Sequence, residues 1–320
     1  MGKQIPTFAY KIAIVIATMI WGFSFVVMKD TVEVVPPAWL LGFRFTSAGL
    51  ILLAVLWKRV RRAVSPKVLA MGALLGLFDY LAFWTQTVGL QYTTPGINAF
   101  LTALYCVIVP FAWWVIARRR PSVFNLGAAM LAVAGVWFVS VNNSGASLSM
   151  GFGEAMTLLC AVMFAVHIVF VSKFAALADV LALTVLQFIT EGLLGLVTGA
   201  LTETLPAASL ITPQIIGGMV FLVLFASIVA FGIQNVSLAH VPPAQASLLL
   251  SLESVFGVVF SVLLYGEQVG LRLLLGFALI FAAILVSELF PIKRPRRGKG
   301  AAAPAASSGD ECYNAGDISG

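Results

Sequence analysis

With 320 residues, 61% of them hydrophobic and only 10% charged, this chain cannot cover a water-soluble fold, in which about a quarter of residues are charged. A spanning helix takes about 20 mostly apolar residues, so the length admits at most about a dozen spans and leaves no sizeable soluble domain. The net charge of +6 sits in short clusters beside apolar runs, which argues against a nucleic-acid partner.

The apolar runs fall at about residues 12–28, 38–57, 68–90, 96–117, 123–141, 152–172, 180–200, 214–236, 244–264 and 270–290. They are long and continuous, so they predict spanning helices; barrel strands would alternate over segments of about ten residues. The first run follows Lys3 and Lys11 and ends at Lys29-Asp30 without a small-residue cleavage site. It reads as an uncleaved span, not a signal peptide. Pro36-Pro37, Pro66, Pro95-Gly96, Pro121, Asn142–Gly145, Pro206, Pro242-Pro243 and Gly266-Glu267 mark the breaks. After the tenth run, residues 293–320 turn basic and then small and polar, and are expected to form a disordered cytoplasmic tail.

Lys and Arg collect on the cytoplasmic side of membrane proteins. With the amino terminus inside, the inner segments hold Lys3, Lys11, Lys58, Arg59, Arg61, Arg62, Lys67, Arg118, Arg119, Arg120, Lys173, Lys293, Arg294, Arg296, Arg297 and Lys299. Lys29 and Arg272 stay outside, and Arg44 falls within a span. An even number of spans keeps the basic tail inside, so ten spans fit, with both termini cytoplasmic in a plasma membrane.

The halves resemble each other. Trp21–Phe25 aligns with Phe164–Ile168, and Arg44-Phe45 with Gln187-Phe188, at an offset of 143; Leu90–Tyr105 aligns with Leu238–Glu253 at 148. Each half holds five predicted spans. Because five is odd, the second half enters from the opposite side, the inverted-repeat plan of many secondary transporters. The expected fold is all-α, ten transmembrane helices in two inverted five-helix repeats covering residues 10–141 and 150–290.

Several segments carry a family resemblance: WGFSFVVMK in the first span, PPAWLLGFRFTSAGLILL in the second, GLQYTTPGINAFLTALYCVIVP across the third and fourth, RRRPSVFNLGAAMLAVAGVWFVS at the fifth, and ASLLLSLESVFGVVFSVLLYGEQV at the ninth. They resemble the ten-span EamA-like branch of the drug/metabolite transporter superfamily over about residues 10–290. The resemblance implies transport of amino acids, nucleosides, drugs or other metabolites. The family's ninth span usually reads Glu-Pro, here Glu253-Ser254, so a weaker kink is expected there.

Ionisable groups within a membrane cost about 2.5–3.5 kcal/mol on insertion scales and normally face a cavity or a partner. Arg44, Asp79, Glu191 and Glu253 stand out. Arg44 suits a substrate carboxylate or an ion pair with one of the acids. Asp79 shares a helical face with Gln86, beside a stripe of Tyr80, Trp84 and Thr87, and suits a substrate ammonium or a proton. Thr184, Gln187, Glu191 and Thr198 form a one-sided polar stripe. Glu253 aligns with Tyr105, which completes the stripe Asn98, Thr102, Tyr105. Trp21 is a candidate for the cavity wall, whereas His167 reads as a histidine that bonds a neighbour. The expected substrate cavity is therefore lined by Trp21, Arg44, Asp79, Trp84, Asn98, Tyr105, Gln187, Glu191 and Glu253.

Cys106, Cys160 and Cys312 show no paired spacing, and His167 and His240 are too few for a histidine metal centre. No phosphate loop or nucleophile–base pair appears, so neither cofactor nor catalysis is expected. The leading expectation is a secondary transporter, exporter or exchanger, of small metabolites such as amino acids or drug-like compounds, acting as a monomer or homodimer. Protons are the candidate coupling ion, carried by Asp79 or Glu191. The competing readings are an uncoupled facilitator of the same fold, a membrane-embedded transferase and an accessory subunit of a larger complex.

Overall fold

A computed structural model describes residues 6–118, 120–140, 150–238, 240–241 and 249–289. The expected tail, the breaks at Asn142–Gly145 and Pro242-Pro243, and the start of the ninth run lie outside these residues. The described chain is almost entirely helical: α1 Thr7–Val32, α2 Pro37–Ala63, α3 Pro66–Tyr92, α4 Pro95–Thr102, α5 Tyr105–Ala117, α6 Val123–Ser140, α7 Phe152–Phe174, α8 Val180–Thr202, α9 Pro213–Phe221, α10 Ala230–Leu238, α11 Leu252–Phe260 and α12 Leu271–Leu289. Two wide π-helical segments, Leu222–Val229 and Ser261–Tyr265, continue α9 into α10 and extend α11.

Seven helical stretches among the described residues are long and apolar enough to cross a membrane: Thr7–Val32, Pro37–Ala63, Pro66–Tyr92, Pro95–Ile116, Phe152–Phe174, Val180–Thr202 and Pro213–Gln234. Val123–Val139, Leu252–Tyr265 and Leu271–Ser287 are shorter apolar helices. The chain is thus a multi-pass membrane protein.

The helix starts follow from local chemistry. Proline opens α2, α3, α4 and α9, where its fixed φ suits the first turn and its missing N–H costs nothing. Ser65, Thr94, Asp179 and Thr212 cap α3, α4, α8 and α9 by accepting a first-turn N–H. Gly266, at φ 75°, ends the second π segment in a left-handed conformation that few other residues adopt easily. Pro110 lies inside α5 and has no N–H to offer the Cys106 carbonyl one turn back; the Ser287 hydroxyl of α12 donates to that carbonyl instead, at 3.1 Å.

Packing brings α2 against α8, α3 against α7 and α8, α6 against α12, and α1 against α10 and α11. Between lipid-embedded helices, small residues at the crossing permit backbone approach. A Cβ added at Gly195 would lie 2.5 Å from the Gly42 nitrogen, and one at Gly89 would lie 2.8 Å from the Gly153 carbonyl oxygen. These glycines fix the α2–α8 and α3–α7 crossings, and thereby the heights at which the polar side chains of the four helices meet.

Candidate functional site

The α2–α8 crossing carries Arg44 and Glu191 into the interior, 2% and 0% exposed. Across from them, α3 brings Asp79, 1% exposed. Arg44 Nε donates to Ser227 Oγ at 2.9 Å, and Nη1 lies 3.7 Å from the Met28 sulfur. Its guanidinium faces the rings of Phe45 and Phe83, with centroids 4.7 and 5.1 Å away. Among the described residues Arg44 forms no ion pair within 4.0 Å, so the expected alternative of a direct pair with an acid is replaced by a hydroxyl, a thioether and two aromatic faces. Ser227 belongs to the first π segment, whose widened turn sets its hydroxyl on Arg44. The neighbouring Ala226 carbonyl accepts from Trp21 Nε1 at 2.8 Å. Irregular turns within membrane helices recur at functional sites because they redirect backbone and side-chain polar groups.

Glu191 interacts electrostatically with Asp79 and Arg44. Among the described residues neither of its oxygens meets an N–H or hydroxyl donor, and its one hydrogen-bonding neighbour is the Asp79 carboxyl. Asp79 is better held: Gln187 Nε2 donates to Asp79 Oδ2 at 2.6 Å. Gln187 Oε1 lies 3.1 Å from His167 Nε2, and His167 Nδ1 lies 3.7 Å from Asp79 Oδ1. An amide that donates to Asp79 presents its oxygen to the ring, so His167 Nε2 is the donor of the second bond. His167, read from sequence as an incidental histidine, is therefore part of the Asp79 cluster. Its signal was faint because its partners sit on two other helices, 20 and 88 positions along the chain.

The Asp79 face also divides differently from the expected stripe. Gln86 does not join Asp79; it donates to Thr102 Oγ1 at 3.1 Å. Thr102 contacts Cys160 Sγ at 3.9 Å. Asn98 Nδ2 donates to Thr157 Oγ1 at 2.8 Å and to the Gln86 carbonyl at 3.2 Å, while Asn98 Oδ1 is buried without a partner. A second polar cluster thus joins α3, α4 and α7 towards the end at which α3 passes into α4.

The remaining candidates line the margins. Trp84 is half-buried against the apolar core of α1, α2 and α8, its indole N–H buried without a partner. Tyr105 packs edge-on to Phe164, with centroids 6.2 Å apart. Thr184 and Thr198 are half-buried, and the Thr184 hydroxyl bonds back to its own Val180 carbonyl, so only Gln187 and Glu191 of that stripe reach the buried centre. Glu253 is half-buried in the first turn of α11, within electrostatic range of Cys160. The helix there breaks at Ser251, whose carbonyl accepts from the Ser254 hydroxyl at 2.9 Å. A turn persists without the proline of the Glu-Pro pattern, because a short side chain back-bonds the same region of backbone.

Two segments, residues 9–141 and 151–289, match the family model described as "EamA-like transporter family". An uncharacterised transporter of Archaeoglobus fulgidus is 27% identical over 87% of this chain and 85% of its own length. An uncharacterised inner membrane transporter of Escherichia coli is 27% identical over 91% of this chain and 94% of its own. A solved crystal structure with 19% identity superposes with a TM-score of 0.62, covering 88% of this chain and 96% of that one, which shows a shared fold.

Proposed function

This chain belongs to the EamA-like transporter family and is a membrane transporter; from that premise we propose that it is a secondary transporter of small zwitterionic or amphipathic metabolites, amino acids among them, working by alternating access. The observation that carries the reading is Glu191: among the described residues, a fully buried carboxyl whose one hydrogen-bonding neighbour is another acid, Asp79, beside a buried guanidinium with no ion pair within 4.0 Å. A buried charge left in that condition is costly, and a ligand bearing both an ammonium and a carboxylate satisfies both groups at once. The closed packing around them suits an occluded state.

Two features favour the inverted repeat as the device for alternation. Exchanging the first five predicted spans with the last five maps the helix pairings onto themselves: α2 with α8 and α6 with α12 are self-related, α3 with α7 becomes α10 with α1, and α1 with α11 becomes α7 with α4–α5. The breaks in the fourth and ninth spans, at Ala103–Leu104 and Ser251, also fall in register at the offset of 148. The basic inner segments favour cytoplasmic termini in a plasma membrane. In the coupled form, Asp79 or Glu191 carries a proton.

The test is a thermal-shift screen of metabolites on the purified protein, repeated with Asp79→Asn and Glu191→Gln. A compound that stabilises the parent but neither variant supports the site and names the substrate. Equal stabilisation of all three refutes the assignment. That compound is then followed into proteoliposomes, where accumulation driven by a pH gradient supports coupling and indifference to the gradient makes the protein a facilitator.

A further inference from the structure

The basic end of α2 forms a pocket that the transport site does not use. Lys58, Arg59, Arg62 and Ala63, together with Asp179 from the α7–α8 turn, line an open surface pocket of about 530 Å³. Lys58 and Arg62 are one helical turn apart and share a face with Arg59. Arg59 Nε is fixed on Asp179 Oδ2 at 2.8 Å. Asp179 is itself held by the Ala182 N–H as the cap of α8. One cation of the three is thus paired at the surface, while Lys58 and Arg62 keep two positive charges facing the same space. Immediately beside them the surface is apolar: Val55, Trp57 and Leu177 are 74%, 53% and 62% exposed. An exposed Trp one residue before a cationic run marks the boundary between acyl chains and headgroups.

We propose that this pocket binds the phosphodiester headgroup of one anionic phospholipid of the inner leaflet. Lys58 and Arg62 hold the phosphate, the Arg59–Asp179 pair sets the width of the pocket, and the acyl chains run along Val55 and Trp57. The phosphate chemistry alone would also suit a free phosphate ester. The adjoining apolar strip favours the lipid, since a soluble anion has no use for it. The bound lipid would bridge the end of α2 to the α7–α8 turn, adding to the Arg59–Asp179 pair and to the apolar packing of Val60 and Ala63 on Ala182 and Val185.

The experiment is native mass spectrometry of the purified full chain in detergent, titrated with phosphatidylglycerol or phosphatidylcholine, with and without excess inorganic phosphate. One phosphatidylglycerol is expected to be retained in preference to phosphatidylcholine. A charge-assisted hydrogen bond to the phosphate is worth about tenfold or more, so K58Q/R62Q, which removes two, should weaken retention about 100-fold or more. R61Q/K67Q removes the same charge from exposed positions outside the pocket, loses only screened surface attraction, and should weaken retention at least about tenfold less. K58R/R62K, which keeps both charges, should retain the lipid, and its thermal unfolding without lipid reports whether the face still folds. Equal losses in the two neutralised variants would reduce the effect to diffuse surface charge and overturn the pocket. Absence of a headgroup preference in the parent, or displacement of the lipid by inorganic phosphate, would overturn the lipid assignment.

Discussion

Gly195→Ala puts one methyl group where α2 and α8 touch. The added Cβ would stand 2.5 Å from the Gly42 nitrogen, 2.7 Å from its Cα and 3.0 Å from the Ala38 carbonyl oxygen. All three are backbone atoms, so no rotamer change relieves the contact. An ordinary contact needs at least about 3.4 Å, so the helices must separate by close to 1 Å. Overpacking of this kind costs about 1–3 kcal/mol, and backbone on both sides places this case at the upper end, near 3 kcal/mol. The gain in helix propensity from Gly to Ala returns less than about 1 kcal/mol. Gly217→Ala is the internal control, because its Cβ meets nothing within 4 Å; it should be neutral or stabilising by up to about 1 kcal/mol. Thermal unfolding in detergent should therefore move in opposite directions for the two variants, with G195A also losing the ligand-induced stabilisation as Arg44 and Glu191 are drawn apart. A G195A protein that melts with the parent would refute the close crossing, and with it the geometry assigned to the buried charges.

Three other substitutions probe separate contacts. Lys29 Nζ donates to the Leu90 and Gln91 carbonyls at 2.8 and 3.1 Å, closing the end of α3; Lys29→Met should destabilise by about 3–6 kcal/mol, since two hydrogen bonds from a charged donor are lost and each is worth about 1.5–3 kcal/mol, read as a lower unfolding midpoint. The Glu203 carboxylate accepts from the Ala38 and Trp39 N–H groups at the start of α2, and Glu203→Ala should cost about 1 kcal/mol, the usual value of a lost cap, by the same measurement. Burial pushes the Asp179 carboxyl upward, but the Ala182 N–H and Arg59 together outweigh it and hold the group below its ordinary value of 3.8. A depressed folded value means that Asp179 contributes stability above pH 3.8 and loses it as the pH falls through the lower folded value. Asp179→Asn should therefore melt below the parent at pH 7, by about 1 kcal/mol or less for so exposed a pair, and the gap should close towards pH 3.

Helix content was legible because continuous apolar runs admit little else, and the proline-marked breaks placed most starts within a few residues. The interior of the helices was less so. Nothing in LVLFASIV announces a π segment, yet that segment decides where Ser227 meets Arg44. Helical spacing put Asp79 and Gln86 on one face, and the structure sends them to different helices, because seven residues carry them more than 10 Å apart along the axis. Arg44, Asp79 and Glu191 were visible from their cost in lipid. Their partners were not, since Ser227, Met28 and His167 are chemically ordinary until the packing brings them in. Glu267 was read only as part of a break between spans, whereas its carboxylate reaches back to the start of α4.

That reach constrains how this end of the molecule can move. Glu267 accepts from the Gly96 N–H at 3.0 Å, from the Thr94 hydroxyl at 2.5 Å and from the Ser261 hydroxyl. One side chain thereby staples the first turn of α4 to the π segment Ser261–Tyr265 that extends α11. Pulling the two apart would strand a carboxylate and three donors together, whereas swinging them as one lever leaves the staple intact. Under the alternating access proposed above, α4 and the π segment after α11 would travel as a single arm, with the slack for opening at the breaks of Ala103–Leu104 and Ser251, which already interrupt the α-helical ladder.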